Sequence, residues 1–158
     1  YLVAAAEAYE DCPETPTHIF LQAGVGGFPA AMAAQARRQF GNDPRIIIVE
    51  PTEAPVLLES IQAGKEVEVQ GGVSIMGRLD CKVPSTRALS SLAKTCTHFM
   101  TITDEDAENC MTELENEGLE TSPSGGAGYA GLVDLKNYNK SDLTKDSNVV
   151  IFLTEEPA

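Results

Sequence analysis

Short continuous apolar runs alternate along this chain with longer stretches whose apolar positions recur at helical spacing. Residues 2–11, rich in Ala and Glu, predict a helix that stops before Pro13. Thr17-His18-Ile19-Phe20-Leu21 predicts a buried strand, broken by Ala23-Gly24-Val25-Gly26-Gly27-Phe28. An Ala-rich helix follows from about Pro29 to Phe40, with Pro29 in the first turn, where no donor is needed. Ile46-Ile47-Ile48-Val49 is continuous and β-branched, the mark of a strand covered on both faces. A helix over about 53–62 and a short alternating strand, Glu66-Val67-Glu68-Val69, come next. Beyond a loop-rich middle, the pattern predicts a helix over about 85–95 and a strand Phe99-Met100-Thr101-Ile102. A helix over about 104–117 carries Ala107, Cys110, Met111 and Leu114 as an amphipathic stripe. Thr121 to Gly128 forms a small-residue turn opening a further helix, and Val149-Val150-Ile151-Phe152-Leu153 is the last strand.

Strand followed by helix throughout implies parallel pairing through right-handed crossovers. The expected fold class is α/β: a three-layer sandwich around a mostly parallel, twisted sheet, in one domain spanning 1–158 without internal repeats. Charged residues at 22% and hydrophobic ones at 42% suit such a core rather than a disordered acidic tail. With 24 acidic residues against 11 basic ones, the net charge of −13 argues against nucleic acid or an anionic membrane as partner. No apolar run approaches the roughly 18 residues of a membrane span. Tyr1 to Glu7 reads as mid-protein helix rather than a secretory leader, because it lacks a basic stretch and places a carboxylate among its apolar residues. Cys12, Cys81, Cys96 and Cys110 show no zinc spacing and fit a reducing compartment, with Cys110 in the core. A cytoplasmic location follows as an expectation.

Eight acidic residues and no basic one lie between Asp104 and Glu120, the signature of a solvated helix face. Asp104 and Asp106 resemble the start of a calcium loop, but the glycine and final glutamate of such loops are missing, so no metal is expected. His18 and His98, inside and at the start of strands, read as structural.

Candidate chemistry concentrates in the turn from Gly24 to Phe28. Three glycines in four positions leave bare N–H groups, and the following helix adds its dipole, so a phosphate is the natural occupant. A dinucleotide stays open at this point: Gly24 and Gly26 match two fingerprint glycines, and Glu50 ends the next strand where a ribose-binding acid would sit. Pro29, however, replaces the third glycine. Ser124-Gly125-Gly126-Ala127-Gly128 offers a hydroxyl and bare backbone at another loop-to-helix junction, and Thr154 stands at the end of the last strand. A phosphate loop with hydroxyls at two other element ends suits a small phosphorylated aromatic cofactor. A side chain on Gly26 is expected to occupy the phosphate's approach.

The stretch from Thr17 to Gly27, followed by Ile47-Ile48-Val49-Glu50-Pro51, resembles the diaminopropionate ammonia-lyases. These are pyridoxal-phosphate enzymes of the tryptophan-synthase-β (fold type II) superfamily. The likeness continues in order through Ser74-Ile75-Met76, Leu79 and Cys81, Ser124 to Gly128, and Leu153-Thr154-Glu155. It implies that Gly24, Val25, Gly26, Gly27 and Phe28 hold the cofactor phosphate, that Ser124 and Gly125 line the pocket, and that Thr154 faces the pyridine nitrogen. A neutral hydroxyl there leaves the ring nitrogen unprotonated and moderates the electron sink. The implied chemistry is α-proton removal from a small amino acid, loss of its β-amino group, and release of pyruvate and ammonia. A homodimeric parent enzyme is implied as well.

In that family the Schiff-base lysine, its neighbouring Asn and the acids assisting proton removal lie in the first half of the protein. Lys65, Lys82, Lys94, Lys136, Lys140 and Lys145 match no such motif, so no catalytic residue is expected here. The resemblance thus implies the C-terminal, cofactor-binding part of a longer enzyme, weak or absent in cofactor binding when alone. Two positions depart from the family pattern. Pro123 stands where an acid usually precedes Ser124, and Arg78 where glycine is usual, placed either to pair with a substrate carboxylate or to face solvent. Threonine or serine dehydratase-like chemistry, a Rossmann-type dinucleotide-binding oxidoreductase domain and a non-catalytic α/β binding module are the alternatives.

Overall fold

A computed structural model describes residues 1–137 and 142–156. Lys140 therefore lies outside the described residues. In chain order the elements are α1 (Leu2–Glu10), β1 (His18–Gln22), α2 (Gly27–Phe40), β2 (Arg45–Pro51), α3 (Val56–Ala63) and α4 (Thr86–Thr95). They continue with β3 (His98–Ile102), α5 (Asp104–Asn116), α6 (Pro123–Asn137) and β4 (Val149–Val150). The four strands pair in parallel in the order β3-β2-β1-β4.

The period-two alternation of side chains divides the interior in two. Ile19 and Leu21 of β1, with Ile46 and Ile48 of β2, face a core closed by Tyr9, Met32, Ala36, Leu57 and Leu92 from α1 to α4. Phe20, Ile47 and Val49 face the other way, onto Ala107 and Cys110 of α5 and Ala127 and Ala130 of α6. The three-layer α/β sandwich expected from the alternating elements is therefore the observed one.

Helix starts follow local chemistry. Thr103 and Asp106 cap α5 reciprocally, each side chain bonded to the other's backbone N–H. Asp104 accepts from the Ser74 hydroxyl at 2.6 Å and the Ile75 N–H at 3.1 Å, so it ties down the 74–76 loop. Glu105, Glu108, Glu113, Glu115, Glu117 and Glu120 of the acidic run are exposed. At α6, Ser122 is the cap, accepting from the Gly125 N–H at 3.0 Å, and Pro123 takes the first helical position. The glycines of 125–131 lie inside this helix rather than in a turn before it. A Cβ on Gly131 would stand 2.5 Å from Val49, so these positions set how closely α6 lies on the sheet.

Three expectations are corrected. Residues 66–69 form no strand: the Val67 N–H is taken by the Ser60 hydroxyl and the Val69 N–H by the Lys82 carbonyl. The last strand ends at Val150, because the Phe152 carbonyl turns to accept from the Gln22 side chain instead of continuing the ladder. Glu50 is no ribose ligand. It is fully buried, and its two carboxylate oxygens accept from the N–H groups of Leu57 and Leu58 at 2.7 and 2.8 Å, the first-turn donors of α3. Pro55, the residue before α3, supplies no side-chain cap, so Glu50 takes that part from the adjacent strand.

Burial nevertheless outweighs those two donors and pushes the Glu50 carboxyl from its ordinary 4.5 up to about 7. A folded-state value above the unfolded one means that the folded protein holds the proton longer. The resulting stability is fully present below pH 4.5 and lost as pH rises through about 7. On the order of 3 kcal/mol is at stake, at about 1.4 kcal/mol per unit. Urea denaturation across that window should show stability falling with pH in the wild type. The slope should flatten in Glu50→Gln, which has no proton to lose.

Candidate functional site

The parallel sheet brings the C-terminal end of β1, the start of α2, the loop around 78–81, the start of α6 and residues 154–155 to one side. They enclose a cavity of about 570 Å³. Gly24, Val25, Gly26, Gly27, Phe28, Ser124 and Thr154 all line it, although they come from three separate parts of the sequence. Gly125 does not. Its carbonyl accepts from Gln22 at 2.9 Å, and a Cβ on it would meet Thr121 and Glu155.

Among the described residues, no protein acceptor takes the N–H groups of Val25, Gly26, Gly27 and Phe28, and Pro29 has none to offer. The first turn of α2 carries no carboxylate, so the positive end of its dipole is uncompensated. Bare donors at an uncompensated helix start form an anion cradle. The cavity also offers the Ser124 hydroxyl, which accepts from the Arg78 N–H at 3.2 Å, and the Thr154 hydroxyl, which accepts from Gln22 Nε2 at 3.0 Å. Phe28 and Leu79 supply apolar wall. A phosphate with a flat ring attached fits this donor set.

The glycines of the turn are required for reasons other than those read from sequence. Gly26 has φ +100°, and a Cβ on it would point at Ala88, Leu92 and Leu57 at 3.0–3.3 Å, toward α4 and α3. Its side-chain direction is therefore not the phosphate's approach. Gly24 lies under the 78–81 loop, where a Cβ would come within 2.9 Å of the Arg78 carbonyl and 3.0 Å of Cys81 Sγ. Only at Gly27, which is exposed at the cavity wall, would a Cβ meet nothing within 4 Å.

Arg78 pairs with Glu155 at the rim of the cavity, and most of its side chain faces solvent. Its guanidinium Nε lies 3.1 Å from Glu155 Oε1, although the side chain remains 79% exposed. The Ser122 hydroxyl holds the other Glu155 oxygen, and the Thr121 hydroxyl donates to the Glu155 carbonyl at 2.7 Å. An exposed pair of this kind contributes about 0–1 kcal/mol, so its part is to locate the rim. Pro123, the other departure, is explained by its place as the first residue of α6.

Gln22 and Glu155 are the site residues that sequence reasoning missed. The available signal was a polar residue ending an apolar strand, and an acid directly after Thr154. His18 and His98 do not reach the cavity. His18 Nδ1 lies 2.9 Å from the Thr17 hydroxyl, and Nε2 lies 3.2 Å from an Asp142 oxygen, at the far end of β1. No lysine among the described residues lines the cavity, and Lys82 is engaged by Asp80 and the carbonyls of Glu53 and Gly72. All four cysteines are free, and Cys81 stands in the cavity wall.

Gly26→Ala must force a side chain into left-handed backbone, at a cost of about 1–3 kcal/mol, while Gly27→Ala, at the open first position of α2, should be neutral or stabilise by up to about 1 kcal/mol on the helix-propensity scale. Chemical denaturation of both variants should give that order. Equal midpoints would show that the turn packs differently.

A family model described as pyridoxal-phosphate dependent enzyme matches residues 1–155. The diaminopropionate ammonia-lyase of Salmonella typhimurium is 31% identical over 176 residues, covering 98% of this chain and 44% of its own length. A probable D-serine dehydratase of Vibrio parahaemolyticus is 31% identical over 127 residues, covering 76% of this chain and 29% of its own. The crystal structure of the Escherichia coli diaminopropionate ammonia lyase, which holds an aminoacrylate–pyridoxal phosphate reaction intermediate, superposes with a TM-score of 0.84. Its identity is 27%, over 96% of this chain and 42% of that one. This chain thus spans less than half the length of these relatives. Among the described residues no helix is long and apolar enough to cross a membrane. With bare donors at the start of α2 and a family match over nearly its whole length, the chain belongs to the pyridoxal-phosphate-dependent enzymes of fold type II.

Proposed function

We propose that this chain is the cofactor-holding part of an ammonia-lyase that converts 2,3-diaminopropionate, or a closely related amino acid, to pyruvate and ammonia. The observation that carries it is the convergence of Val25–Phe28, Ser124 and Thr154 on one cavity. The 31% identity to a diaminopropionate ammonia-lyase over 98% of the chain supports the substrate. A D-serine dehydratase activity is the second reading, supported by equal identity over a shorter span.

In this reading the N–H groups of Val25, Gly26, Gly27 and Phe28, with the α2 dipole, bind the phosphate of pyridoxal phosphate. Charge-assisted bonds of this kind contribute about 1.5–3 kcal/mol each. Ser124 and the apolar wall confine the ring, and the Thr154 hydroxyl meets its nitrogen. When bound, the cofactor supplies the electron sink that lets an amino acid lose its α-proton and β-substituent. This chain binds, orients and excludes water. The lysine and the groups that move protons are proposed to come from a preceding part of the enzyme, and cofactor retention by this part alone is expected to be weak. A homodimeric, cytoplasmic enzyme completes the proposal.

The test is the protein made from the complete reading frame. It should show the visible absorbance of bound pyridoxal phosphate, bleached by borohydride, and release ammonia and pyruvate faster from 2,3-diaminopropionate than from D-serine. Faster turnover of D-serine would promote the second reading. A colourless protein that binds NAD would overturn both.

Two glycine variants separate cradle from frame. Gly27→Val should fold normally and lose at least tenfold in cofactor affinity, measured by equilibrium dialysis, because its side chain stands among the phosphate donors. Gly26→Val should lose stability first, with cofactor loss following from unfolding. Unchanged affinity in a folded Gly27→Val would contradict the cradle assignment.

A further inference from the structure

Residue 78 is fixed in the cavity wall between the phosphate turn and the start of α6. Its N–H donates to the Ser124 hydroxyl at 3.2 Å, and its carbonyl oxygen would stand 2.9 Å from a Cβ on Gly24. Just beyond it, the Leu79 N–H donates to the Met76 carbonyl at 2.8 Å and the Cys81 N–H to the Leu79 carbonyl at 2.7 Å. The backbone is therefore closed into tight turns on both sides. A side chain leaving this point starts at the cavity, and Arg78 lines it.

A guanidinium offers its Nε–H on one edge and a fork of terminal N–H groups at its end. Arg78 spends only the first within the protein: its Nε lies 3.1 Å from Glu155 Oε1. Among the described residues, no hydrogen bond or ion pair takes up the terminal N–H groups. The side chain is 79% exposed, so water is their ordinary partner and a ligand can displace it. Two parallel N–H groups in one plane match the two oxygens of a carboxylate. Arg78 is also the only Arg or Lys among the lining residues, and Glu155 the only Asp or Glu. On a chain of net charge −13, that guanidinium is the side chain that can draw an anionic group to this rim.

We propose that Arg78 is a specificity-determining residue, which pairs through the terminal fork of its guanidinium with a carboxylate of the amino-acid substrate. The proposal rests on the pyridoxal-phosphate reading and adds a substrate contact to it. Two anionic groups are then held at separate places, the cofactor phosphate on the N–H groups of Val25–Phe28 and the substrate carboxylate at the rim. Glu155 keeps the Nε edge and leaves the fork to the substrate. The carboxylate comes either from the α-carbon, as in every amino acid, or from an acidic side chain.

The experiment compares the complete holoenzyme with its Arg78→Gln and Arg78→Lys variants. Alanine and aspartate, which lack a β-amino or β-hydroxyl group to lose, are titrated in, and binding is read from the change in the cofactor's visible absorbance. Arg78→Gln should weaken aspartate by about tenfold or more, and Arg78→Lys, which keeps the charge without the fork, should recover part of the loss. Equal weakening of alanine assigns the α-carboxylate. The KM for 2,3-diaminopropionate should then rise by a similar factor, with kcat held within about threefold. Weakening of aspartate alone assigns a side-chain carboxylate, and the KM for 2,3-diaminopropionate should stay as in wild type.

The amide that lacks the assigned carboxylate, alaninamide or asparagine, should bind wild type and Arg78→Gln alike. An equal loss for that amide would mean that the substitution merely displaces the rim, and it overturns the proposal. Unchanged binding of both amino acids in Arg78→Gln, or no binding of either by wild type, overturns it too and leaves the functional reading intact. A complete protein that takes up no pyridoxal phosphate overturns the functional reading and the proposal with it.

Discussion

Where β1 ends, the backbone turns into α2 under close contact from two sides. Gly24 lies beneath the 78–81 loop, and Gly26, in left-handed backbone, lies against α4 and α3. Neither glycine leaves space for a side chain, so the turn cannot relax toward either neighbour. Its N–H groups are left facing the one open side. The anion cradle thus follows from packing behind it, and the donors are ordered before any ligand arrives, which lowers the entropic cost of binding.

The same logic of support from behind recurs around the cavity. Ser122 starts α6 and also holds a Glu155 oxygen, so one residue fixes both the helix bearing Ser124 and the segment bearing Thr154. Gln22 joins β1 to Gly125 and to the 152–154 segment through one amide. Glu50, on the neighbouring strand, anchors the start of α3, whose Leu57 packs on Gly26. The site is held by side-chain hydrogen bonds at the ends of elements, and those of Gln22 and Ser122 to residues 152–155 join segments distant in sequence.

Much of the fold was legible because continuous β-branched runs such as Ile46–Val49 and stripes such as Ala107, Cys110 and Leu114 admit one reading each. The 66–69 segment misled because alternation marks a strand only where a neighbouring strand is available, and here a serine hydroxyl and a lysine carbonyl take its donors. The turn and the hydroxyls of Ser124 and Thr154 were legible as a site from their positions after strands and before helices. The reason for Gly26 was not, since which element lies behind a turn is a tertiary fact. Glu50 occupied the fingerprint's acidic position by register alone, while folding spent both its oxygens on α3. Gln22 was invisible because one polar residue ending an apolar strand has no periodicity to mark it.

The cavity wall is unevenly tolerant of change. Behind it, Gly24, Gly26, Gly128 and Gly131 meet neighbours that a single methyl group would disturb, while in front Gly27 has open space. The Arg78 side chain is held at the rim by an exposed ion pair. An architecture of this kind can vary the residues at the rim without loosening those packed behind the wall. Change at the rim is thereby uncoupled from loss of the fold.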